Sequence, residues 1–481
     1  MRKILASALC LLMLCASALA ETYTVDVYGS EESPAYAILL SDDGTLLTPI
    51  HTCSSIYQLT PRGTPDAEKL FSVTPVNVDI AYTPELAEEL LYDMDSIHVA
   101  LMNGDGRLLT GFDYDGLDYV NGAVIFTLPD DARHCGAMDA AGNVIVEPVY
   151  AALRPLRDGA WLALTFPEAF TDPYDALCGA AYIDAVGNVR DLGLHTRDRY
   201  LDVDARGVAV LGNVEEYDGK TVFIGPDGDE LFDRQFQYAD TFIGNYAVVE
   251  DDDRYGVIDA TGKTVLPLEY DYINREPGKP IIALRGAYYA AYDPEDFALL
   301  VEEDLSPEES VSAVAITPEL LGISAGDRSW VRAIDGEVLS ETPEDKSVWM
   351  YGVTGENVTR LVQEDKAWPG GMARLIDLYG NPVSGDYRMI LGGTWQDGRG
   401  RFITGDYRIL TDADGNETVD WTSYRYGLID DDGNALLPQV YDELRALSYD
   451  RYWAVQGDQS GMIDAAGKWY FAVSDYVSLM D

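Results

Sequence analysis

The sequence predicts an all-β chain of tandem three- to four-stranded repeats with propeller-like closure, and three observations lead there. First, the stretch YGVIDATGKTVLPLEYDYI begins at Tyr255, and a near copy, YGLIDDDGNALLPQVYDEL, begins at Tyr426. Second, the core of that phrase (an apolar pair, Asp, two small or polar residues, Gly) recurs at Gly142, Gly187, Gly228, Gly262, Gly380, Gly433 and Gly467. Weaker copies end at Gly44, Gly106 and Gly336, and most neighbouring turn glycines lie 34 to 45 residues apart. A recurrence in that range is the mark of a solenoid, propeller or array, because one small unit cannot bury its own apolar face. Third, the segments between are short apolar runs punctuated by Gly, Pro and Asp, which is strand and turn composition.

The first twenty residues stand apart from that pattern. Arg2 and Lys3 precede an apolar run from Ile4 to Cys15, and the segment ends Ala18-Leu19-Ala20 before Glu21. This reads as a secretory signal peptide over 1–20, too short for a membrane span. Cys10 and Cys15 each follow Leu rather than the small residue that a lipidation site favours. The first strand of the mature chain is TYTVDVYG from Thr22, with Tyr23, Val25 and Val27 on one face. Two short helical inserts are expected, TPELAEELLYDM from Thr83 and SPEES from Ser306, each with capping residues at its start.

Within a repeat, the strand Tyr255 to Ile258 leads into the turn Asp-Ala-Thr-Gly. Asp259 is placed to accept backbone N–H bonds, and Gly262 to take the positive φ of a bulged hairpin. The second strand is TVLP, with Pro267 ending its ladder or marking an edge. Tyr270 is expected to pack between neighbouring units. A third strand completes the unit, as in GAWLALTF from Gly159, NYAVVED from Asn245, KPIIALRG from Lys279 and RYWAVQG from Arg451. LTDADGN, ending near Gly415, reads as an extra hairpin inside a unit.

The phrase resembles the WG repeat of bacterial exported proteins, W/Y-G-φ-I-D-x-x-G-x-φ-φ-P-x-x-Y-D. Tyr255-Gly256-Val257-Ile258-Asp259, Gly262, Pro267 and Tyr270-Asp271 match it position by position, as do Tyr426-Gly427-Leu428-Ile429-Asp430, Gly433, Pro438 and Tyr441-Asp442. Gly136, Asp139, Gly142, Pro148 and Tyr150 match with the proline one place later, and Gly461, Ile463, Asp464 and Gly467 match the first half. The signature Trp is replaced by Tyr, Ala or Cys. The resemblance implies an all-β repeat module without shared catalytic residues. It divides the chain into 1–20, a repeat region 21–288, degenerate repeats with inserts over 289–374, and a second repeat region 375–481. An open β-solenoid and two separate repeat domains remain alternatives. For closure, the first strand is expected to complete the last sheet beside Trp469–Val473. About ten units exceed the roughly four to eight blades of ordinary propellers, so inserts or two rings are needed.

Composition limits the partners. The formal net charge is −50, which repels phosphate backbones and anionic lipid heads, so nucleic acid and acidic membranes are excluded as partners. Charged residues are only 24 % of the chain and hydrophobic residues 47 %, with 32 Tyr, so the chain folds rather than remaining an acidic disordered tail. Cys53, Cys135 and Cys178 follow the leader; they leave room for one bridge and no cysteine-built zinc site. His51, His98, His134 and His195 are scattered, with no local metal pair.

Sharper chemistries fail on spacing. Asp412, Asp414 and Asn416, and Asp202, Asp204 and Gly207, begin like calcium loops but lack the glycine and closing glutamate in place. They read as acidic hairpin turns. No local motif selects a carboxylate pair for glycoside hydrolysis, and no G-x-S-x-G is present. Catalytic, cofactor-binding and metal residues are therefore all assigned as none. The tryptophans Trp161, Trp330, Trp349, Trp368, Trp395, Trp421, Trp453 and Trp469 either line a sugar-binding groove or staple repeats together. Trp161 and Trp453, at matching third-strand positions, are expected in the core; Trp368 and Trp395, in Gly/Pro-rich loops, are expected exposed. The resulting reading is a non-catalytic exported scaffold that binds a protein or a glycan at the cell envelope, with no cofactor and no membrane insertion. The alternative is an exported hydrolase, marked by a pocket holding two or three convergent polar side chains from Tyr289–Arg374 or Trp395–Arg408, where a smooth repeat surface marks the scaffold.

Overall fold

The computed structural model describes residues 21–27, 36–49, 52–61, 63–75, 98–170, 172–305, 311–326, 328–343, 345–349, 353–354, 360–365, 370–396 and 399–473. The leader 1–20, both expected helices, His51 and Trp368 lie outside the described residues. Among those described, regular structure is β-strand, with one-turn 3-10 segments at Asp66–Glu68, Pro173–Asp175 and Glu215–Tyr217. No helix among them is long and apolar enough to cross a membrane, which says nothing of a β-barrel.

Most repeat turns are built by an Asp. The Asp259 carboxylate accepts the backbone N–H groups of Thr261 at 2.9 Å and Lys263 at 3.1 Å, while the Asp259 carbonyl accepts the N–H of Gly262 at 2.9 Å. Gly262 closes the turn at φ +80°. Asp139, Asp184, Asp204, Asp377, Asp412, Asp430 and Asp464 cap their turns in the same way. Asn103 stands in for Asp in one weak copy. The carboxylate replaces ladder partners that the backbone loses in leaving the strand.

The glycine of the YG pair has a different reason. The strand Arg254–Asp259 pairs with Thr264–Tyr270 through a bulge at Tyr255/Val257. A Cβ on Gly256 would lie 2.8 Å from the carbonyl oxygen of Leu266; one on Gly427 would lie 2.8 Å from that of Leu437, at the matching bulge Tyr426/Leu428. Only a glycine lets the strands approach there. The first and last tyrosines of the phrase thereby become cross-strand partners, Tyr255 with Tyr270 and Tyr426 with Tyr441. Pro267 marks an edge, as expected: the strand Thr264–Tyr270 is the outermost of its sheet and runs through the proline.

The unit boundary differs from the sequence reading. Tyr238–Ala239, Tyr246–Asp251, Arg254–Asp259 and Thr264–Tyr270 form one antiparallel sheet in that order, and Tyr272–Asn274, Ile281–Arg285, Tyr288–Tyr292 and Leu299–Asp304 form the next. The phrase therefore ends one sheet and starts another, and the strand at Ile281 belongs to the following unit as its second strand. The cause is Asp271, a single-residue link whose N–H donates to the Leu284 carbonyl at 2.8 Å, already in the next sheet. Tyr270 is buried in a cluster joining Val248, Val257 and Leu266 of one sheet to Ile273, Ile281 and Ala283 of the next, so it does pack between units. In the stretch expected to be degenerate, Val311–Thr317, Leu320–Ala325, Arg328–Ala333 and Val338–Thr342 still form a regular four-stranded sheet. There the shortened turn at Gly336, φ +96°, suffices.

The described chain forms two compact units, Val149–Asp450 in one and Met1–Pro148 with Arg451–Asp481 in the other. The second of these brings the chain's two ends together. Thr22–Val27 pairs with Tyr36–Ser41, and Trp469–Val473 pairs with Gln459–Asp464. The first strand thus stays in its own sheet, correcting the expectation that it would complete the last one. Arg451, opening the last set of strands, instead donates from Nε to the Asp42 carbonyl at 3.0 Å and pairs through Nη2 with the Asp42 carboxylate at 2.9 Å. Its guanidinium lies 4.3 Å from the ring centre of Tyr470, whose carbonyl packs against Gly44.

The same contact joins consecutive sheets within the other unit. Arg360 opens the strand Arg360–Asp365 and donates from Nε to the Asp431 carbonyl at 2.8 Å, in the Asp-x-x-Gly turn of the following sheet. Asp42 and Asp431 occupy the same turn position. Turn glycines elsewhere also face earlier chain, Gly142 at Thr110, Gly262 at Phe232 and Gly433 at Ser384, whereas Gly44 faces Tyr470 near the end. The last sheet thus serves as the predecessor of the first. The fold is all-β, of tandem small sheets that are antiparallel but for one parallel pair, Val353–Thr354 with Met389–Gln396, and within the unit that holds both chain regions the last strands meet the first sheet through side chain and turn, without a shared strand.

Candidate interaction site

Most residues weighed as chemical groups are committed to structure. Asp412 accepts from the N–H groups of Asp414 and Asn416 and from the Asn416 amide, and these bonds, that amide first, hold its carboxyl below the usual range. Asp204 caps its turn and pairs with the Arg206 guanidinium at 2.9 Å, so a side-chain cation stands where a calcium loop needs an ion. None of Cys53, Cys135 and Cys178 forms a disulfide bridge. Cys53 and Cys178 are buried, and that burial raises both. His98, His134 and His195 lie beside different carboxylates, Asp115 at 3.4 Å, Asp130 at 2.8 Å and Glu216 at 2.6 Å.

The stretch from Tyr289 does hold three converging polar side chains. Arg332 Nη1 donates to the Tyr289 hydroxyl at 2.5 Å and to Glu303, and the Tyr289 hydroxyl lies 3.0 Å from Glu303 Oε2. Tyr289 is fully buried, and that burial pushes its phenol up to about 12. Tyr289 and Glu303 lie on one sheet and Arg332 on the next, above a shared core of Ile282, Val301, Ala313, Leu321 and Trp330. The three groups satisfy one another, so the arrangement is a polar staple between sheets, and a phenol at about 12 is a poor base at neutral pH.

The tryptophans divide. Trp161 and Trp453 are buried, as their third-strand positions predict. Trp395 is buried too, against expectation, and meets Phe402 edge-on at 6.3 Å. Gly392 to Gln396 prove to be strand rather than loop: Met389–Gln396 pairs with Arg399–Thr411, and Gly393 admits the Arg401 carbonyl where a Cβ would lie 2.0 Å away. Trp421 is 60 % exposed.

Trp421 sits on the extra hairpin. Arg399–Thr411 and Glu417–Asp430 run 13 and 14 residues, where the matching strands Tyr246–Asp251 and Arg254–Asp259 have 6 each. The neighbours on either side reach only to Gly405 and Tyr426, so 406–425 projects as a two-stranded arm. Asp406 pairs with Arg425 but Arg408 with Asp420, leaving Trp421 to Tyr424 as a wide bulge opposite Tyr407. The bulge is held by the Ser423 hydroxyl, which accepts the Arg408 N–H at 2.7 Å and donates to the Asp420 carbonyl at 2.7 Å. Asp420 takes the Thr422 hydroxyl at 2.7 Å and the Arg408 guanidinium at 2.6 Å; the Thr422 bond first, then Arg408, keeps it ionised.

A lone two-stranded ribbon is marginal in water, and this one has its own small core of Tyr407, Val419 and Tyr424. The rings form a ladder: Trp421 stacks on Tyr424 at 5.5 Å and 7°, and Tyr424 meets Tyr407 at 5.2 Å and Tyr426 at 6.1 Å. Burial, then the two neighbouring phenols, lifts Tyr424 to about 12, so the ladder is neutral at ordinary pH. Of these rings, sequence reading singled out Trp421 among the tryptophans and Tyr426 as part of the repeat, but neither Tyr407 nor Tyr424. The signal available was the run Trp421-Thr-Ser-Tyr-Arg-Tyr426 beside an inserted turn.

The comparisons agree with the repeat. The "WG containing repeat" family matches residues 223–255, 255–276 and 426–459. No curated protein matches the sequence. Similar solved structures include one described as a eukaryotic initiation factor (TM-score 0.42, 9 % identity, 86 % of this chain and 94 % of that one) and BamB from Moraxella catarrhalis (0.27, 13 %, 66 % and 91 %). KlHsv2 with loop 6CD replaced by a Gly-Ser linker is a third (0.28, 6 %, 56 % and 97 %). Likenesses at these scores carry no weight for function.

Proposed function

Starting from the three places where this chain matches the WG repeat family, we propose that it is a non-catalytic binding scaffold that is exported and works at the cell envelope on another protein or a glycan. One observation carries the reading. The polar residues that recur with the repeat are committed to capping turns and joining sheets, whereas a long departure from the repeat among the described residues, the arm 406–425, holds a supported ring ladder with an exposed Trp421. Function on repeat architectures sits in such variable connections. Export is supported by Arg2, Lys3, the apolar run to Cys15 and the Ala18-Leu19-Ala20 site.

Affinity capture with the mature chain, against envelope proteins and a glycan panel, tests the role. The expected result is a saturable partner that the chain without its arm fails to retain. Turnover of a glycan substrate by purified protein would replace the scaffold with the hydrolase. Amino-terminal sequencing of secreted protein is expected to begin at Glu21; a start at Met1 would refute export by cleavage after Ala20.

A further inference from the structure

We infer that the arm around Trp421 is a stacking platform for a neutral glycan. This rests on the binding-scaffold reading and names its ligand class. A sugar ring offers an apolar C–H face and a polar rim, so it needs a flat aromatic surface with donors and acceptors at the edge. Trp421 provides the surface, 60 % exposed and steadied by stacking on Tyr424. The wide bulge aims it outward, a use bulges commonly serve near binding sites. Because the ladder beneath already fixes the indole, little side-chain freedom is lost on binding. Polar residues flank it along the strand and across the ladder: Thr422 follows it, and Arg408, with 73 % of its side chain exposed, pairs with the preceding Asp420.

Charge and patch size decide against other partners. The chain carries a net charge of −50, and Asp412, Asp414 and Glu417 lie exposed on the same arm, which repels polyanions and anionic lipid. A stable protein interface buries about 800 Å² per side around an apolar centre. Among the described residues of the arm, the exposed ones besides Trp421 are polar apart from Leu410, 52 % exposed, and the turn residues Ala413 and Gly415. One aromatic face in a polar frame suits a sugar better than a protein.

The test is affinity electrophoresis of the full chain in gels containing soluble neutral polysaccharides (dextran, laminarin, hydroxyethyl cellulose, xyloglucan), with binding to insoluble chitin alongside. At least one matrix is expected to retard the wild type. Trp421→Ala should weaken that binding roughly tenfold, and Trp421→Phe far less, with unfolding midpoints unchanged. Retention by none of these matrices, or equal retention of Trp421→Ala, overturns the inference. If affinity capture instead returns an envelope protein whose binding requires Trp421, the glycan falls and the scaffold reading stands. If neither glycan nor protein is bound, both fall.

Discussion

The two copies of the phrase build the same piece of structure and differ in what precedes it. Thr264–Tyr270 and Ala435–Tyr441 alternate between exposed and buried positions identically, and both pair with their neighbours through the same bulge and the same tyrosine couple. Before Tyr255 the chain turns at once through Asp252 and Asp253, both at positive φ. Before Tyr426 it makes the long arm. The repeat therefore fixes the sheet, and the hairpin ahead of it is free to vary, because a two-stranded extension leaves the ladder below untouched.

The largest expected effect tests whether the copies are equivalent. Gly256→Ala and Gly427→Ala should each destabilise by about 2 kcal/mol, because a backbone carbonyl would meet the new Cβ. Chemical denaturation giving clearly unequal losses would break the equivalence. Next, Gly262 and Gly415 share a positive φ, but a Cβ on Gly262 would also meet the Phe232 ring at 2.7 Å, whereas Gly415 on the arm has nothing within 4 Å. Gly415→Ala should cost about 1 kcal/mol and Gly262→Ala more; the reverse order would show that the arm's turn is the more tightly held.

Smaller again, Arg360→Ala and Arg451→Ala should each cost about 1 kcal/mol by losing a charged hydrogen bond to a turn carbonyl. Equal losses would sharpen the view that the closing contact repeats an ordinary one between sheets. A negligible loss at Arg451 alone would argue that closure rests on something else.

The smallest effect concerns pH. The Thr261 hydroxyl, first, holds Asp259 below the usual carboxylate range, as the Asn416 amide holds Asp412. A carboxyl depressed in the folded state binds fewer protons there than in the unfolded chain. Its contribution is thus complete above its unfolded value of about 3.9, and is lost as pH falls through the folded one. Asp259→Asn and Asp412→Asn keep the shape and remove the charge, so each should be less stable than wild type at neutral pH, with the gap closing only as pH falls below about 3.9 and through the folded value. A gap that persists undiminished in acid would mean that charge is not what these turns use.

Much of this was legible in the residues alone. Asp-x-x-Gly fixes its turn through bonds spanning at most four residues, so Asp259 and Gly262 read correctly, as did Trp161 and Trp453 in the core and the inserted hairpin near Gly415. Such features depend on local chemistry and a repeat period, both written along the chain. What only the tertiary structure decided depends on neighbours distant in sequence. Asp271 hands the chain to the next sheet, so the structural unit is out of phase with the written one. Trp395 is buried because strand pairing, not its glycine-rich surroundings, sets its environment. Tyr424 reaches Tyr407 only across a bulge whose size no spacing rule predicts. Arg451 finds Asp42 across 409 residues, a separation that no local pattern in the sequence encodes.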